Sequence, residues 1–170
     1  MACKMGGVLK ELLPLAEKVA ALLKARHQTI AVAESSAGGL INAALLALPG
    51  ASAYCKGGMV MYTRDALLSL KNVDRSMLQG IRGLSEPYGL LKARVIREHL
   101  LADWGLSESG AAGPQGNKYG NNAGHCVIAV AGVMEKTRTI QTGLSDRQVN
   151  MVKFAQASLS LLLESLEAAP

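Results

Sequence analysis

TIAVAESSAGGLINAALLAL, residues 29–48, is the stretch of sequence that decides the fold. Its first part, Thr29–Ala33, is short, apolar and partly β-branched, which predicts a buried strand. Its last part, Leu40–Leu48, is rich in Ala and Leu and predicts a helix that a Pro-Gly pair closes. Between them, Glu34–Gly39 predicts a tight turn with two serines and two glycines. This strand–turn–helix unit is typical of a domain in which helices alternate with strands.

The same alternation extends over the rest of the chain. The predicted helices are Val8–Arg26, Leu40–Leu48, Arg64–Leu70, Asp74–Gly80, Ser85 to about Trp104, and a last one that Ser145 or Asp146 caps and that runs to about Leu166. The predicted strands are Thr29–Ala33, Gly58–Thr63, a short one near Ser107, His125–Ala131 and Thr137–Thr142. The last two strands predict an antiparallel pair with an edge strand, so we expect an α/β fold with a mixed sheet and helices on both faces.

Composition and length limit the class of protein. With 170 residues and no recognisable linker, we expect a single domain over residues 1–170. The 49% hydrophobic and 18% charged residues exclude a disordered chain or a fibre. The cysteines, Cys3, Cys55 and Cys126, have no paired spacing, which argues against a disulfide framework or a zinc site and for a reducing compartment. The charged N-terminal segment fits neither a signal peptide nor a membrane span, so we expect a cytoplasmic protein that does not bind membranes.

The formal charge of +5 has two interpretations. The segment from Lys56 to Glu98 contains eight basic and four acidic residues. This excess favours a phosphate-bearing ligand or, as the simpler interpretation, solvated helix faces. The excess is too small to predict nucleic-acid binding.

Candidate functional residues follow the first predicted strand, at the edge where open α/β sheets bind ligands. Ser35 is placed to be a nucleophile or a phosphate-binding hydroxyl, although Ser35 or Ser36 also suits a helix cap. The long loop Gly110–Gly124 is either functional or a flexible surface loop, and within it Lys118 and Tyr119 are suited to a phosphate and a base. Backbone amides make a further set of candidate ligand-binding positions: Ser36, Gly38, Gly39, Gly110, Gly113 and Gly116.

Signatures of a cofactor or a metal are missing from the sequence. It contains neither a dinucleotide-binding nor a P-loop pattern. His27, His99 and His125 stand alone and have no neighbours at metal-ligand spacing. We therefore expect no cofactor and no metal.

Several motifs in the same order resemble the CinA C-terminal domain family. Ala33–Leu40 resembles the family's AESCTGG-L, and Ser109–Pro114 resembles its SGIAGP. Further matches are Pro49–Tyr54, Gly57–Tyr62, Leu84–Pro87, Gly124 in register with the glycine of a KPVG motif, and Gly143 with Arg147 as a faint G-D-R. The resemblance covers nearly the whole chain. It implies a three-layer α/β/α sandwich with a mixed, mostly parallel central sheet.

Active members of this family are nicotinamide-nucleotide amidases, which convert nicotinamide mononucleotide and water into nicotinate mononucleotide and ammonia. The resemblance implies that Ser35 holds the nucleophile position and Tyr62 the position of a catalytic tyrosine. The family's TYSNEAK lysine, which serves as the base, is here Leu67. The threonine of AESCTGG is Ala37, and residues 121–123 have lost a lysine and a proline.

These departures give two hypotheses. Because a serine hydroxyl is a weak nucleophile without a base, the first is a domain with lost or weakened catalysis that binds a nucleotide or assembles into a structure. The second is a working amidase in which Lys56, Lys71 or Lys118 replaces the missing base. Leu67 is the residue that separates them.

Assembly is the last expectation from sequence. Leu161–Leu163 spreads apolar side chains around the last predicted helix, over more than one sheet face covers. We therefore expect a homo-oligomer, at least a dimer.

Overall fold

Five strands form one sheet in the computed structural model, which describes residues 5–170. They are β1 (Ile30–Glu34), β2 (Cys55–Val60), β3 (Trp104–Gly110), β4 (His125–Ala131) and β5 (Glu135–Gln141). Their spatial order is β2-β1-β3-β4-β5, in which β1 pairs parallel with β2 and β3, while β4 is antiparallel to both its neighbours. All strands but β4 therefore point the same way, and the predicted mixed, mostly parallel sheet is confirmed.

Helices cover both faces of this sheet. They are α1 (Met5–Ala25), α2 (Leu40–Leu46), α3 (Arg64–Leu68), α4 (Glu86–His99) and α5 (Arg147–Ala168), with short 3₁₀ turns at Ala51–Ala53 and Arg75–Leu78. One face carries α2 and α5 with α1 packed against both, and the other carries α4 and α3. The three-layer α/β/α arrangement is as expected.

Strand β1 is buried on both faces, and its side chains differ in size between them. Ile30 and Val32 pack into the core under α1, α2 and α5, whereas Ala31 and Ala33 face α3 and α4. Small side chains on the second face let α4 approach the sheet closely. At Gly105 of β3, an added Cβ would lie 2.0 Å from the backbone oxygen of Ala93 on α4.

The second strand lies three residues earlier in the chain than the predicted Gly58–Thr63. β2 begins at Cys55, opposite Ile30 of β1, and ends at Val60. Beyond it, the Met61 amide still donates to the Glu34 oxygen at 2.7 Å, and Tyr62 then leaves the sheet. The apolar run Gly58–Thr63 was misleading because Met61 is buried in the α3–α4 core rather than in a strand.

The prediction that the helix from Ser85 reaches Trp104 was also wrong. α4 ends at His99, and Trp104 is the first residue of β3. The Trp104 amide donates to the Thr29 oxygen at 2.9 Å, and the Asp103 carboxylate accepts from the Thr29 amide at 2.7 Å. These long-range bonds to the start of β1 determine where the chain becomes a strand.

Helix starts were predicted more accurately than helix ends. Asp146 caps α5 by accepting from the Val149 amide at 3.0 Å, and Ser85 caps α4 through the Tyr88 amide at 3.4 Å. Asp74 caps its segment as predicted, but that segment is a 3₁₀ turn rather than an α-helix. The predicted loop Gly110–Gly124 lies between β3 and β4, but it begins one residue later, because Gly110 is the last residue of β3.

The apolar arc of α5 is buried within the chain itself. Leu161 and Leu162 are fully buried, and Leu163 is 9% exposed. α1 packs along α5 and covers the part of the helix that the sheet does not reach. The argument for an oligomer from Leu161–Leu163 is therefore wrong, and the oligomer itself stays a prediction.

The described residues also bear on cysteines and membranes. Cys55 and Cys126 are free and buried, and Cys3 lies outside the described residues. From residue 5 onward, no helix has both the length and the apolar character needed to cross a bilayer.

The contact between α4 and β3 gives a stability prediction. We expect Gly105→Ala to lower the free energy of unfolding by about 3 kcal/mol, because the new methyl group meets the rigid Ala93 carbonyl. Urea unfolding measures the change. Gly7→Ala is the control, since nothing lies within 4 Å of a Cβ there and alanine favours a helix. A Gly105→Ala protein as stable as the control would contradict the close approach.

Candidate functional site

The turn between β1 and α2 is built around the buried carboxylate of Glu34, the last residue of β1. One of its oxygens accepts from the Gly39 amide at 2.8 Å and the Ile41 amide at 3.1 Å. The other accepts from the Asn42 amide at 2.7 Å and from its side-chain nitrogen at 2.6 Å. Burial raises the pKa of Glu34 above its ordinary value, against the lowering effect of these donors. Glu34 thus caps the start of α2.

A second buried carboxylate, that of Glu108 on β3, holds the other side of the turn. Its Oε2 accepts from the amides of Ser35 and Ala37, both at 2.9 Å. Its Oε1 accepts from the Ser36 hydroxyl and lies 3.7 Å from the Cys126 sulfur. Burial, followed by the nearby Glu108 charge, raises the pKa of the Cys126 thiol well above its ordinary value.

The two carboxylates occupy the positions where an external anion would be expected. Amides at a strand-to-helix turn ordinarily favour a bound phosphate or an oxyanion. Here Ser35, Ala37 and Gly39 donate instead to side chains of the same chain. In this conformation, those amide donors already have their acceptors.

Lys92 of α4 lies behind Glu108 and is fully buried. Its Nζ donates to the Ser109 hydroxyl oxygen at 2.8 Å and to the backbone oxygen of Glu108 at 3.1 Å. Burial lowers the pKa of Lys92 from 10.5 to about 8, although the charges of Glu108 and Glu34 act in the opposite direction. The site therefore contains a lysine that releases its proton more easily than an exposed one.

A cavity of about 340 Å³ opens above this network, and we call it the site cavity. Its lining combines Ser35 and Ser109 with three tyrosine rings and two basic side chains. The lining residues are Ser35, Met61, Tyr62, Thr63, Arg64, Ile81, Gly83, Leu84, Tyr88, Ser109, Gly110, Asn117, Lys118 and Tyr119. The long loop reaches it because the Tyr119 ring lies against Gly83, so closely that a Cβ there would be 2.5 Å from the ring.

A second cavity of about 310 Å³ adjoins the site cavity and shares Tyr62, Gly110 and Asn117 with it. Arg147 of α5 lies at its wall. The Arg147 guanidinium donates to the Tyr62 hydroxyl at 3.0 Å and to the Gly113 oxygen at 2.9 Å. This side chain thereby ties the long loop to the segment that follows β2.

The two residues predicted to be catalytic line the site cavity, whereas Leu67, at the position of the family's base, does not. Ser35 is half-buried and Tyr62 is 60% exposed, and both line the site cavity. Over residues 5–170, the Ser35 hydroxyl has no side-chain hydrogen-bond partner. Leu67 is fully buried in the apolar cluster with Ala31 and Ala33 and does not line the site cavity.

The predicted ligand-binding residues divide into two groups. Ser36, Gly110, Gly113 and Gly116 line the second cavity. Gly38 and Gly39 line neither cavity, and their φ angles of 67° and 99° serve the turn itself. Of the three lysines considered as replacement bases, only Lys118 lines the site cavity with Ser35.

Sequence reasoning missed Lys92 and Glu108, which are the charged centre of the site. Lys92 had a recognisable signal, because it lies between Gly89 and Ile96 at the helical spacing of the buried face of α4. Glu108 lies in a strand whose other side chains are buried, but only the fold shows that it reaches the Ser35 turn. In the described part of the chain, no group of three or more His, Cys, Asp or Glu side chains could hold a metal ion.

Comparison with known proteins places this chain in a family. The model of the CinA C-terminal domain matches residues 12–166. The chain belongs to the CinA C-terminal domain family. A CinA-like protein of Gloeobacter violaceus is 42% identical over 130 residues, which are 76% of this chain and 30% of that protein. A CinA-like protein of Chlorobium limicola is 35% identical over 151 residues, 85% of this chain and 35% of that protein.

Solved CinA structures share the fold of this domain. The competence damage-inducible protein A of Klebsiella pneumoniae superposes with a TM-score of 0.86 at 27% identity, covering 94% of this chain and 99% of that one. A competence or damage-inducible protein of Enterobacter asburiae gives 0.84 at 29% identity, covering 91% and 98%. The present chain spans about a third of the length of the curated CinA-like relatives it matches.

The buried Lys92 gives a pH prediction for this CinA domain. Because its pKa falls from 10.5 to about 8 on folding, the folded state binds fewer protons than the unfolded state between these values. The contribution of Lys92 to the free energy of unfolding therefore rises with pH between about 8 and 10.5. Below pH 8, Lys92 is charged in both states, and the full cost of burying its charge lowers the stability. Between pH 7 and pH 10, we expect the wild type to gain about 2.5 kcal/mol over Lys92→Met in the free energy of unfolding.

Urea unfolding at a series of pH values measures this difference. Lys71→Met is the control, because Lys71 is exposed and its removal leaves the buried network intact. A difference between wild type and Lys92→Met that does not change with pH would contradict a buried, charged Lys92.

Proposed function

We propose that this CinA domain binds a pyridine nucleotide in the site cavity and hydrolyses it through Ser35 weakly or not at all. The observation that carries the proposal is the surroundings of Ser35. No base contacts its hydroxyl among the described residues, and Leu67, at the family's base position, is enclosed by apolar side chains. A serine in these surroundings keeps its proton and remains a weak nucleophile.

Binding is supported by the chemistry of the cavity walls. Tyr62, Tyr88 and Tyr119 offer rings for a pyridine, and Arg64 and Lys118 offer positive charge for a phosphate. A volume of about 340 Å³ lies in the range of small-molecule sites. Because the turn amides already bind Glu108 and Glu34, we assign the phosphate to the two cations rather than to Gly38 and Gly39.

The second candidate is an active amidase with a relocated base. The observation in its favour is that Lys118 and Ser35 line the same cavity. In this alternative, Lys118 takes the Ser35 proton, and nicotinamide mononucleotide releases ammonia at an ordinary enzymatic rate.

A titration and an ammonia assay on the same sample decide between these candidates. We expect weak, millimolar binding of nicotinamide mononucleotide by calorimetry at low salt, and turnover below about 10⁻³ s⁻¹, some 10⁴-fold under a typical enzyme. Lys118→Gln weakens the binding about tenfold, because a charge-assisted contact to the phosphate is lost. Lys71→Gln, outside the cavity, leaves it unchanged.

Absence of any binding heat would contradict the proposal. Turnover near 10 s⁻¹ that Lys118→Gln abolishes would establish the alternative. We expect that Leu67→Lys alone does not restore a normal rate. Ala37 still lacks a hydroxyl, and the side chain of the new lysine would begin inside a buried apolar cluster rather than at the cavity wall. Family-like turnover in Leu67→Lys would show that the other departures do not matter.

Self-assembly and a cytoplasmic location belong to the same proposal. β2 is an edge strand with an exposed apolar end, where Met59 is 37% and Val60 49% exposed. An open, apolar strand edge favours association with another chain. The free thiols of Cys55 and Cys126 favour a reducing compartment.

Light scattering at micromolar concentration tests the assembly. We expect a mass of at least twice the 17.8 kDa of the chain. Val60→Lys, which puts a charge on the edge strand, lowers that mass, whereas the control Leu101→Lys, at an exposed position just after α4, does not. A mass of 17.8 kDa that is unchanged on tenfold concentration would contradict an oligomer.

A further inference from the structure

We propose that Ser109 and Lys92 form a serine–lysine pair at the floor of the site cavity, with Ser109 as a nucleophile toward small esters and amides and Lys92 as its base. This activity goes beyond the proposed function, because it needs neither a bound nucleotide nor the Ser35 hydroxyl. No part of the family resemblance assigns a role to Lys92.

Ser109 and Lys92 are in direct hydrogen-bond contact. Ser109 lies near the end of β3, on the face of the sheet that α4 covers, and Lys92 reaches it from α4 with an Nζ–Oγ distance of 2.8 Å. A general base must lie within hydrogen-bond reach of the proton it takes, and this pair does. The Ser35 hydroxyl, by contrast, contacts no base in the described residues.

The two members of the pair differ in their access to the cavity. Ser109 is 3% exposed and lines the site cavity, so the cavity is the side from which a small substrate would approach its oxygen. Lys92 is fully buried behind it. Water and substrate therefore approach the amine only from the cavity, past the Ser109 oxygen, and the Ser109 hydroxyl is the side-chain group nearest to the amine. A nucleophile at the cavity wall with a buried base behind it suits acyl transfer.

The protonation state of Lys92 also suits a base. Burial lowers its pKa to about 8, so about a tenth of the molecules hold an unprotonated amine at pH 7. The groups whose charges act on the amine are Glu108, Cys126 and Glu34, and the centroid of the Tyr88 ring lies 5.9 Å away. The two carboxylates keep the pKa from falling further, and the amine stays near the protonation state that a base at neutral pH requires.

The chemical step balances without a cofactor. The unprotonated Lys92 nitrogen takes the Ser109 proton as Oγ forms a bond to the carbonyl carbon of the substrate, and the carbonyl π electrons move to its oxygen. When these electrons return, the bond to the leaving alcohol or amine breaks, and Lys92 gives its proton to that group. Water then attacks the acyl-Ser109 ester with Lys92 again as base, which releases the acid and restores the serine.

Covalent labelling with methanesulfonyl fluoride, a small reagent that sulfonylates activated serines and releases fluoride, tests the pair. Peptide mass mapping of the full chain should find the label on Ser109. The labelling rate should rise about tenfold between pH 7 and pH 9 and then level off, as Lys92 loses its proton. A reaction that depended only on hydroxide would keep rising tenfold with each pH unit.

Variants separate catalysis by the pair from a purely structural role. Ser109→Ala should lose the label, and Lys92→Met should slow labelling about 100-fold. The exposed controls Ser69→Ala and Lys71→Met should label like the wild type. Because Lys92→Met leaves Glu108 and Glu34 without their nearby cation, it is used only if its circular dichroism matches the wild type. The wild-type pH profile decides in any case.

Three results would overturn the proposal: a label on Ser35, no labelled serine, or a rate that does not level near pH 9. Calorimetry with nicotinamide mononucleotide is independent of all three. Failure of nucleotide binding and failure of the Ser109–Lys92 pair are therefore seen in different experiments.

Discussion

The Glu108 carboxylate is the acceptor on which the rest of the site depends. It receives the amides of Ser35 and Ala37 and the hydroxyl of Ser36, and so joins β3 to the turn that follows β1. A buried carboxylate needs several donors and a compensating charge to be tolerated. The turn supplies the donors, and the buried Lys92, which donates to the Glu108 backbone oxygen, lies near enough for its charge to interact with the carboxylate. Sheet, turn and α4 are thus held by one polar network between two apolar cores.

This network gives the motif of the strand-to-helix turn a structural role that does not depend on catalysis. The glycines of the turn keep the backbone path, but the amides are occupied by side chains of the same protein. Ser35 is left facing the site cavity without a base, and the nearest pairing of a hydroxyl with an amine is that of Ser109 with Lys92. The resemblance implies a base on α3, at the position of Leu67, whereas the pair that we propose lies between α4 and β3.

Local patterns were sufficient for most of the fold and for part of the site. Element order, the caps at Ser85 and Asp146, and the antiparallel pair at the end of the sheet follow from periodicity and capping chemistry. The position of β2 and the end of α4 could not be predicted from such local patterns, because long-range hydrogen bonds to Glu34 and Thr29 determine them. Ser35 and Tyr62 were found through motifs, whereas Glu108 acts over 73 residues of sequence and no spacing rule connects it to Ser35.

The crystal structure of this domain grown with nicotinamide mononucleotide tests the central claim most directly. We expect that Glu108 still accepts from the amides of Ser35 and Ala37, and that the ligand phosphate lies against Arg64 and Lys118. A structure in which Glu108 has turned away and a ligand oxygen accepts from those two amides would contradict it.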